Sequence, residues 1–212
     1  MYFAIKPYDE IPQDLLNEMY SLRYKIAVEE WGWSIPTAHS GKDKDQFDTT
    51  HTIYFLVFNN TDNLVACSRL NPTTQPHLLS EIFPEHCSFS GVPVDENIWE
   101  LSRFIVDKSR LSHFEQVQLY LQMCLAVTKY ADGKGIKQVT WLSHKTRYTK
   151  SIVVWRTRPL GLPKHYPDDD QEYIAAIMDT DREAIERLKR FVKTDWSEHL
   201  KKLPSKTHEE AA

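Results

Sequence analysis

Apolar residues recur along the chain at two different spacings, and the alternation between these spacings predicts a mixed fold. From 11 to 30 they return every three or four positions, which is typical of one buried face of a helix. Further helices are predicted over 77–83, 113–131, 146–156 and 181–195. Runs of aromatic and β-branched residues predict strands over 51–58, 63–70, 98–106, 136–143 and 172–178.

The order of these elements indicates an α+β or mixed α/β domain built on one sheet. The turn sequence NNTDN joins the first two strands, so we expect a hairpin there. Residues 31–50 are polar and interrupted by Pro36 and Gly41, which predicts a long loop of the kind that often has a functional role. We expect a single domain over 1–212, with about 200–212 as a flexible tail.

The overall composition excludes several classes of function. The net charge is −4, so no global field attracts the protein to nucleic acid or to a membrane. No apolar run reaches the length of a membrane span, and the N-terminus lacks a signal-peptide pattern. Cys67, Cys87 and Cys124 lack metal-ligand spacing, and their odd number argues against a disulfide framework. We therefore expect a cytoplasmic protein with reduced thiols.

One segment departs from this even distribution of charge. Between Gly133 and Pro167 there are eight lysines and arginines but no aspartate or glutamate. Such segregation is typical either of a solvated basic surface or of a docking face for an acidic partner.

Six charged residues in the first half of the chain lie beside aromatic or apolar neighbours. They are Arg23, Arg69, Arg103, Asp45, Asp48 and Glu100. Each alone is explained by solvent exposure or an internal salt bridge. Together they suit a cleft for a small zwitterionic ligand, because carboxylates neutralise an amine or sulfonium and arginine forks clamp a carboxylate. Trp33, Phe47 and Phe83 would offer ring faces to a purine or a cation.

Six short motifs with these residues occur in a familiar order. They are LR at 22–23, GW at 32–33, DKDQFD at 43–48, SRLNPT at 68–73, PHLLSEIFP at 76–84 and WELSRF at 99–104. In this order and spacing they resemble the LuxI-type acyl-homoserine lactone synthases, the bacterial autoinducer synthases of quorum sensing. The resemblance covers about 20–106 closely and the remainder by element order.

The resemblance implies a fold related to the GNAT N-acetyltransferases, with a splayed mixed sheet flanked by helices. It also implies transfer of an acyl group from acyl carrier protein, or from acyl-CoA, to the amine of S-adenosylmethionine (SAM). Lactonisation then releases methylthioadenosine. SAM is a substrate in this reaction, and neither a cofactor nor a metal is implied.

The resemblance also implies roles for individual residues. Glu100 is the candidate general base for the amine, acting directly or through one water. The three arginines would orient the methionyl carboxylate or hold the acids, while Asp45 and Asp48 would hold the amine. The residues expected to bind SAM are Trp33, Phe83, Arg23, Asp45 and Arg103. The chain departs from the family at Ala27, where an aromatic is usual, and we expect Tyr24 or Trp31 to replace it.

The resemblance further suggests how the acyl group and its carrier are bound. Thr140, where some members use a threonine to favour 3-oxo chains, and Ser143 are the candidates for acyl-chain selection. Six apolar residues would line an acyl tunnel or simply pack in the core: Trp141, Leu142, Ile152, Val153, Val154 and Trp155. Acidic acyl carrier protein would dock on the basic segment, at Lys145, Arg147, Lys150 and Arg156.

Two other functions are compatible with this fold. An ordinary GNAT acetyltransferase would hold the pyrophosphate of acetyl-CoA with a glycine-rich turn before a helix. The corresponding sequence, VDKSRLSHFEQ at 106–116, contains no glycine, which argues against it. A non-catalytic binding module is the second possibility, and the retention of all six charged residues argues against that one.

The sequence IWELSRFIV at 98–106 raises a geometric problem, because Glu100 and Arg103 would face opposite sides of a regular strand. A shared site requires both to face one way. We predict a β-bulge or sharp twist within 100–103, since a bulge re-aims side chains. The alternative is that Glu100 faces the ligand while Arg103 supports the acids from behind.

Overall fold

The computed structural model describes residues 1–166, 170–193, 195 and 202–204. Its strands are Tyr2–Pro7 (β1), Ile53–Phe58 (β2), Leu64–Pro72 (β3), Ile98–Val106 (β4), Gln138–His144 (β5), Thr157–Pro159 (β6), Lys164–Tyr166 (β7) and Gln171–Asp179 (β8). Its α-helices are Gln13–Tyr24 (α1), Leu78–Glu81 (α2), His113–Gly133 (α3), Lys145–Val154 (α4) and Arg182–Lys189 (α5).

The strands form one mixed sheet in the order β1-β2-β3-β4-β5-β8-β6, with β7 also beside β8. Strands β1 to β4 are antiparallel, whereas β4 and β5 are parallel neighbours. These two pair only over Ile98–Leu101 and Gln138–Trp141. Beyond that point they separate and leave a cleft between them. The expected class, a splayed mixed sheet flanked by helices, is confirmed.

Helices pack on both faces of the sheet, which explains why its central strands are apolar throughout. In β2, Phe55 and Val57 belong to the core formed with α3, while Tyr54, Leu56 and Phe58 belong to the core formed with α1. All five side chains are buried. A strand covered on both faces shows a continuous apolar run instead of alternation, as this one does.

Most predicted elements are present, and the 51–58 and 63–70 segments pair as the expected hairpin. The first helix is followed by a π-helical segment, Lys25–Glu30. The prediction of a helix over 181–195 was too long. The helix ends at Lys189 because Arg190 and Phe191 bond back three residues in a tight turn. The expected tail, 200–212, lies outside the described residues except for 202–204.

Strands β1, β6 and β7 were not predicted. The last two have three residues each, too few for a period to be recognised, and both lie within the basic segment. Among the described helices, none has the length and apolar character required to cross a membrane.

Candidate active site

A β-bulge lies in the middle of β4. Cys67 pairs with Ile105 but Arg69 pairs with Ser102, so β4 holds one residue more than β3 over this interval. Arg103 has a φ of +49°, in the left-handed region that non-glycine residues seldom adopt. The predicted bulge is confirmed, at the C-terminal end of the range proposed for it. Its effect is that Ser102 and Arg103, although adjacent, both turn to the face that α1 covers.

On that face, three arginines and three aspartates form a continuous cluster. Arg23, in the last turn of α1, donates to Asp43 at 3.2 Å and to Asp48 at 2.8 Å. Arg69 forms a two-point fork with Asp45, in which Nη2 donates to Oδ2 at 2.9 Å. It also donates to Asp48 at 2.9 Å through Nη1.

Arg103 completes the cluster from the bulge. Its Nε and Nη2 donate to the two carboxylate oxygens of Asp43 at 2.7 and 3.1 Å. Its Nη2 also lies 2.9 Å from Oδ2 of Asp45. Nε of Arg69 donates to Oγ of Ser102 at 2.8 Å, which ties β3 to β4 directly beside the bulge.

The cluster is buried, and its formal charges balance. Arg23, Arg69 and Asp43 are each 0% exposed. Charges removed from water in this way are tolerated only when every partner is present, and deleting one partner of a buried pair typically costs about 3–5 kcal/mol. Burial alone would raise the pKa of Asp48, but Arg23 and Arg69 hold it far below its ordinary value. Tyr54 donates to the same carboxylate at 2.5 Å.

The structure thus brings together five of the six predicted charged residues and adds a sixth, Asp43, that the sequence interpretation missed. Asp43 opens the DKDQFD motif, and the spacing of three acids within six residues was the available signal. Glu100 is the predicted residue that lies elsewhere.

Glu100 lies at the N-terminus of α2. Its two carboxylate oxygens accept hydrogen bonds from the backbone N–H groups of Leu78 and Leu79, at 2.9 and 2.8 Å. The side chain is almost fully buried, and this burial raises the pKa of the Glu100 carboxyl although the helix amides and His77 oppose the shift. Glu100 does not line the adjoining cavity, but its neighbours Leu101 and Leu78 do.

The cavity has a volume of about 520 Å³ and occupies the cleft between the splayed strands. One wall is formed by 101–104 of β4 and the opposite wall by 141–144 of β5. The loop 31–37 closes one side. Asp45 and Arg103 are the two members of the charged cluster that reach the cavity surface. A ligand in the cavity therefore meets an ion pair whose other partners are hidden behind it.

Aromatic side chains cover much of the remaining surface. Trp33 and Phe83, both predicted to bind SAM, line the cavity. Trp33 meets Trp31 edge-on with ring centroids 4.9 Å apart, and Phe83 meets Tyr166 edge-on at 5.8 Å. Of the two aromatics expected to replace the one missing at Ala27, Trp31 lines the cavity and Tyr24 does not.

The residues proposed for the acyl group divide into two sets. Ser143, Trp141, Leu142 and Trp155 line the cavity. Thr140 does not, because it is fully buried beside Glu100, with which it is in register. Ile152 and Val153 are exposed on the outer side of α4, and Val154 is buried but away from the cavity.

The basic segment is partly neutralised by the chain itself. Lys145 lies 2.7 Å from Glu172, and Arg156 lies 2.8 Å from Glu183. The guanidinium of Arg147 stacks over Trp31 at 5.2 Å and lines the cavity mouth. Within the described residues, Lys150 makes no ion pair, so it is the proposed docking residue with a fully available charge.

The N-terminus of α3, which corresponds to the pyrophosphate-binding helix end of a GNAT acetyltransferase, is capped by the chain's own side chains. At the N-terminus of α3, Ser112 and Glu115 form a reciprocal capping box, with Glu115 accepting from the backbone N–H of Ser112 at 2.8 Å. The carboxylate satisfies an N–H group that a phosphate would otherwise bind, and its charge repels an anion.

Comparison with known proteins identifies the family. The family model described as autoinducer synthase matches residues 8–188, which include the charged cluster, the bulge and the cavity. The chain belongs to the autoinducer synthase family. The expected class of enzyme, an acyltransferase that makes acyl-homoserine lactone signals, is confirmed, and neither an unrelated GNAT acetyltransferase nor a non-catalytic module fits.

Named relatives support this membership of the autoinducer synthase family. Isovaleryl-homoserine lactone synthase of Bradyrhizobium diazoefficiens is 32% identical over 181 residues, covering 83% of this chain and 78% of that protein. An acyl-homoserine-lactone synthase of Acinetobacter baumannii is 39% identical over 132 residues, covering 60% and 72%. The solved CoA-dependent acyl-homoserine lactone synthase BjaI, with SAM and isopentyl-CoA, superposes with a TM-score of 0.78 at 27% identity, covering 93% and 97%.

Proposed function

We propose that this cavity holds SAM and an acyl thioester together, and that residues 1–212 form one cytoplasmic synthase domain. The observation that carries the proposal is the Asp45–Arg103 pair at the cavity surface, between strands that separate to admit a second substrate. Its two charges complement the amine and the carboxylate of one methionyl group. The three cysteines are free and buried, which suits a reducing compartment.

In the first step the amine of SAM, once deprotonated, attacks the carbonyl carbon of the thioester. The new N–C bond forms as the C–S bond breaks, and the thiol leaves with a proton. Asp45 holds the amine of the substrate directly. Asp48 supports Asp45 through Arg69, which donates to both carboxylates. Holding both reactants in one cavity supplies the orientation that a reaction in solution lacks.

Glu100 is the carboxylate best suited to take the proton. Asp45 already accepts hydrogen bonds from Arg69 on both carboxylate oxygens and lies against Arg103, so its oxygens are occupied. Glu100 accepts hydrogen bonds from the neutral backbone amides of Leu78 and Leu79, and burial raises the pKa of its carboxyl. Since it does not line the cavity, it acts through one intervening water.

In the second step the methionyl carboxylate attacks its own γ-carbon. The C–O bond forms as the bond to the sulfonium sulfur breaks, and methylthioadenosine leaves as a neutral product. The sulfonium is a good leaving group, so positioning is the main requirement. Arg103 orients the carboxylate, while Arg23 and Arg69 hold Asp45 and Asp48 in place. SAM is consumed in this step, so it acts as a substrate and not as a cofactor.

The acyl chain lies against Trp141, Leu142 and Trp155, with Ser143 at the edge of the same wall. Acyl carrier protein and CoA both deliver it on a phosphopantetheine thiol. Arg147 offers positive charge at the cavity mouth for either donor, whereas Lys150, three residues further along α4, favours an acidic carrier protein.

The test is to express the chain in a host without endogenous lactones and to analyse the medium by mass spectrometry. We expect an acyl-homoserine lactone, and the purified protein should release methylthioadenosine in equal amount. Supplying acyl carrier protein and CoA thioesters separately identifies the donor. If no lactone forms with any donor of either kind, the proposal is wrong.

A further inference from the structure

Asp43 is the member of the charged cluster to which the proposed reaction gives no role. It is 0% exposed, and its backbone N–H donates to the carbonyl of Tyr20 at 3.0 Å. The 31–52 loop is thereby fixed to α1 at this residue. The position of its carboxylate is therefore set by the backbone bond to Tyr20 and by Arg23, whose Nε donates to Oδ2 at 3.2 Å.

This carboxylate occupies one edge of the Arg103 guanidinium. Nε donates to Oδ2 at 2.7 Å and Nη2 donates to Oδ1 at 3.1 Å. A two-point contact fixes the plane of a guanidinium as well as its position, which a single contact does not do. Arg103 needs such a constraint, because its backbone lies in a sparsely populated region with φ of +49°.

The geometry then leaves one group of Arg103 for a ligand. With Nε and Nη2 engaged by Asp43, and Nη2 also 2.9 Å from Asp45, Nη1 makes no hydrogen bond within the described part of the chain. The Arg103 side chain lines the cavity and is 8% exposed. Nη1 is therefore the N–H group that can donate to a bound carboxylate.

We propose that Asp43 is a positioning residue that sets the plane of Arg103, so that Nη1 meets the methionyl carboxylate of SAM. This inference rests on the proposed function. It differs from a purely electrostatic role, and the charge-conserving variant Asp43→Glu separates the two. Electrostatics alone predicts unchanged SAM binding in Asp43→Glu, whereas loss of orientation predicts weaker binding, because the carboxylate moves by one methylene.

The test compares Asp43→Asn with wild type in steady-state kinetics, varying SAM and the acyl donor in turn. We expect the KM for SAM to rise at least tenfold while the KM for the acyl donor stays within twofold. Titration calorimetry with SAM should show the same loss of affinity without turnover. Asp179→Asn is the matched control, since that carboxylate also forms a fork with an arginine, Arg158, but away from the cavity.

A double-mutant cycle separates positioning from general support of the fold. A lysine at position 103 cannot form the two-point contact with Asp43. Adding Asp43→Asn to the Arg103→Lys variant should therefore weaken SAM binding by less than a further twofold. The inference is overturned if the effects of the two substitutions on SAM binding multiply. It is also overturned if the KM for SAM stays constant or falls in Asp43→Asn. If Asp43→Asn does not fold, Asp43→Glu keeps the charge but moves the carboxylate by one methylene, and the same rise in KM is expected.

These outcomes are distinct from failure of the proposed function. A wild-type protein that makes no lactone and does not bind SAM removes the proposed function, and the role of Asp43 with it. A wild-type protein that is active, with an Asp43→Asn variant of unchanged KM for SAM, overturns the role of Asp43 alone.

Discussion

Replacing Glu100 by glutamine tests the assignment of the base. The carboxylate accepts one hydrogen bond on each oxygen, from Leu78 and Leu79, and the amide of glutamine can accept only one of them. Losing a hydrogen bond to a charged group costs about 1.5–3 kcal/mol, but the variant no longer buries a charge. The two effects oppose each other, so we expect the protein to fold with a similar thermal midpoint.

The effect on turnover should be much larger. Loss of a general base typically lowers the rate by about 10²- to 10⁴-fold, and kcat should fall within that range. Wild-type kcat should rise with pH as Glu100 ionises, because only the carboxylate accepts a proton. Its pKa is raised by burial, so this rise lies above the ordinary range of a glutamate. In Glu100→Gln that rise should be absent.

The same group makes stability depend on pH. Because the folded-state pKa of Glu100 is raised, its contribution to stability is fully present below the unfolded-state pKa of about 4.3. That contribution is lost as the pH increases through the folded-state value. Wild type should therefore lose stability relative to Glu100→Gln over this window, which thermal melts at a series of pH values measure.

The assay follows methylthioadenosine release by chromatography across the pH range. Glu115→Gln is the matched control, since Glu115 also accepts a backbone N–H, that of Ser112, at a helix N-terminus but does not line the cavity. It should keep wild-type kcat. Wild-type kcat in Glu100→Gln at every pH would refute the reasoning, and the base would then have to be sought among the cavity-lining groups.

Three further variants test other parts of the site. Tyr54→Phe removes the 2.5 Å bond to Asp48 and should lower the free energy of unfolding by about 1.5–3 kcal/mol in urea titrations; an unchanged value would contradict the burial argument. Trp155→Leu should shift product mass to longer acyl chains, by about fourfold in kcat/KM per added methylene at about 0.8 kcal/mol each. Lys150→Glu should raise the KM for acyl carrier protein severalfold but not for acyl-CoA, whereas Lys189→Glu on α5 should change neither.

Much of the fold could be predicted because burial imposes a period on the sequence. The run IYFLVF at 53–58 is apolar throughout because α1 and α3 cover its two faces. Strand β1 carries a weaker signal, since YFAI is followed at once by Lys6 and Pro7. Its position at the edge of the sheet depends on pairing with β2, a contact between segments about fifty residues apart that no local pattern encodes.

The charged residues of the site could be predicted as a set but not in their arrangement. Six motifs identified the family, yet nothing in the local sequence indicates that Asp43 lies against Arg103, sixty residues away. The same holds for Glu100, whose sequence neighbours give no sign that the N-terminus of α2 would lie against its carboxylate. Basic residues such as Lys145 and Arg156 likewise look available until β8 and α5 bring Glu172 and Glu183 against them.

The bulge at Arg103 explains how Glu100 and Arg103, which are three residues apart on one strand, can serve one site. A left-handed backbone at a non-glycine residue costs on the order of 1–3 kcal/mol, so the local sequence does not favour it. What holds it is the contact of Arg103 with Asp43 and Asp45, both in a loop fixed to α1 and β3. The bulge and the charged cluster therefore depend on each other: the cluster stabilises the strained backbone, and the strained backbone brings the Arg103 guanidinium to the cavity surface. A variant that relaxes the bulge should lose SAM binding even with every charged residue still present.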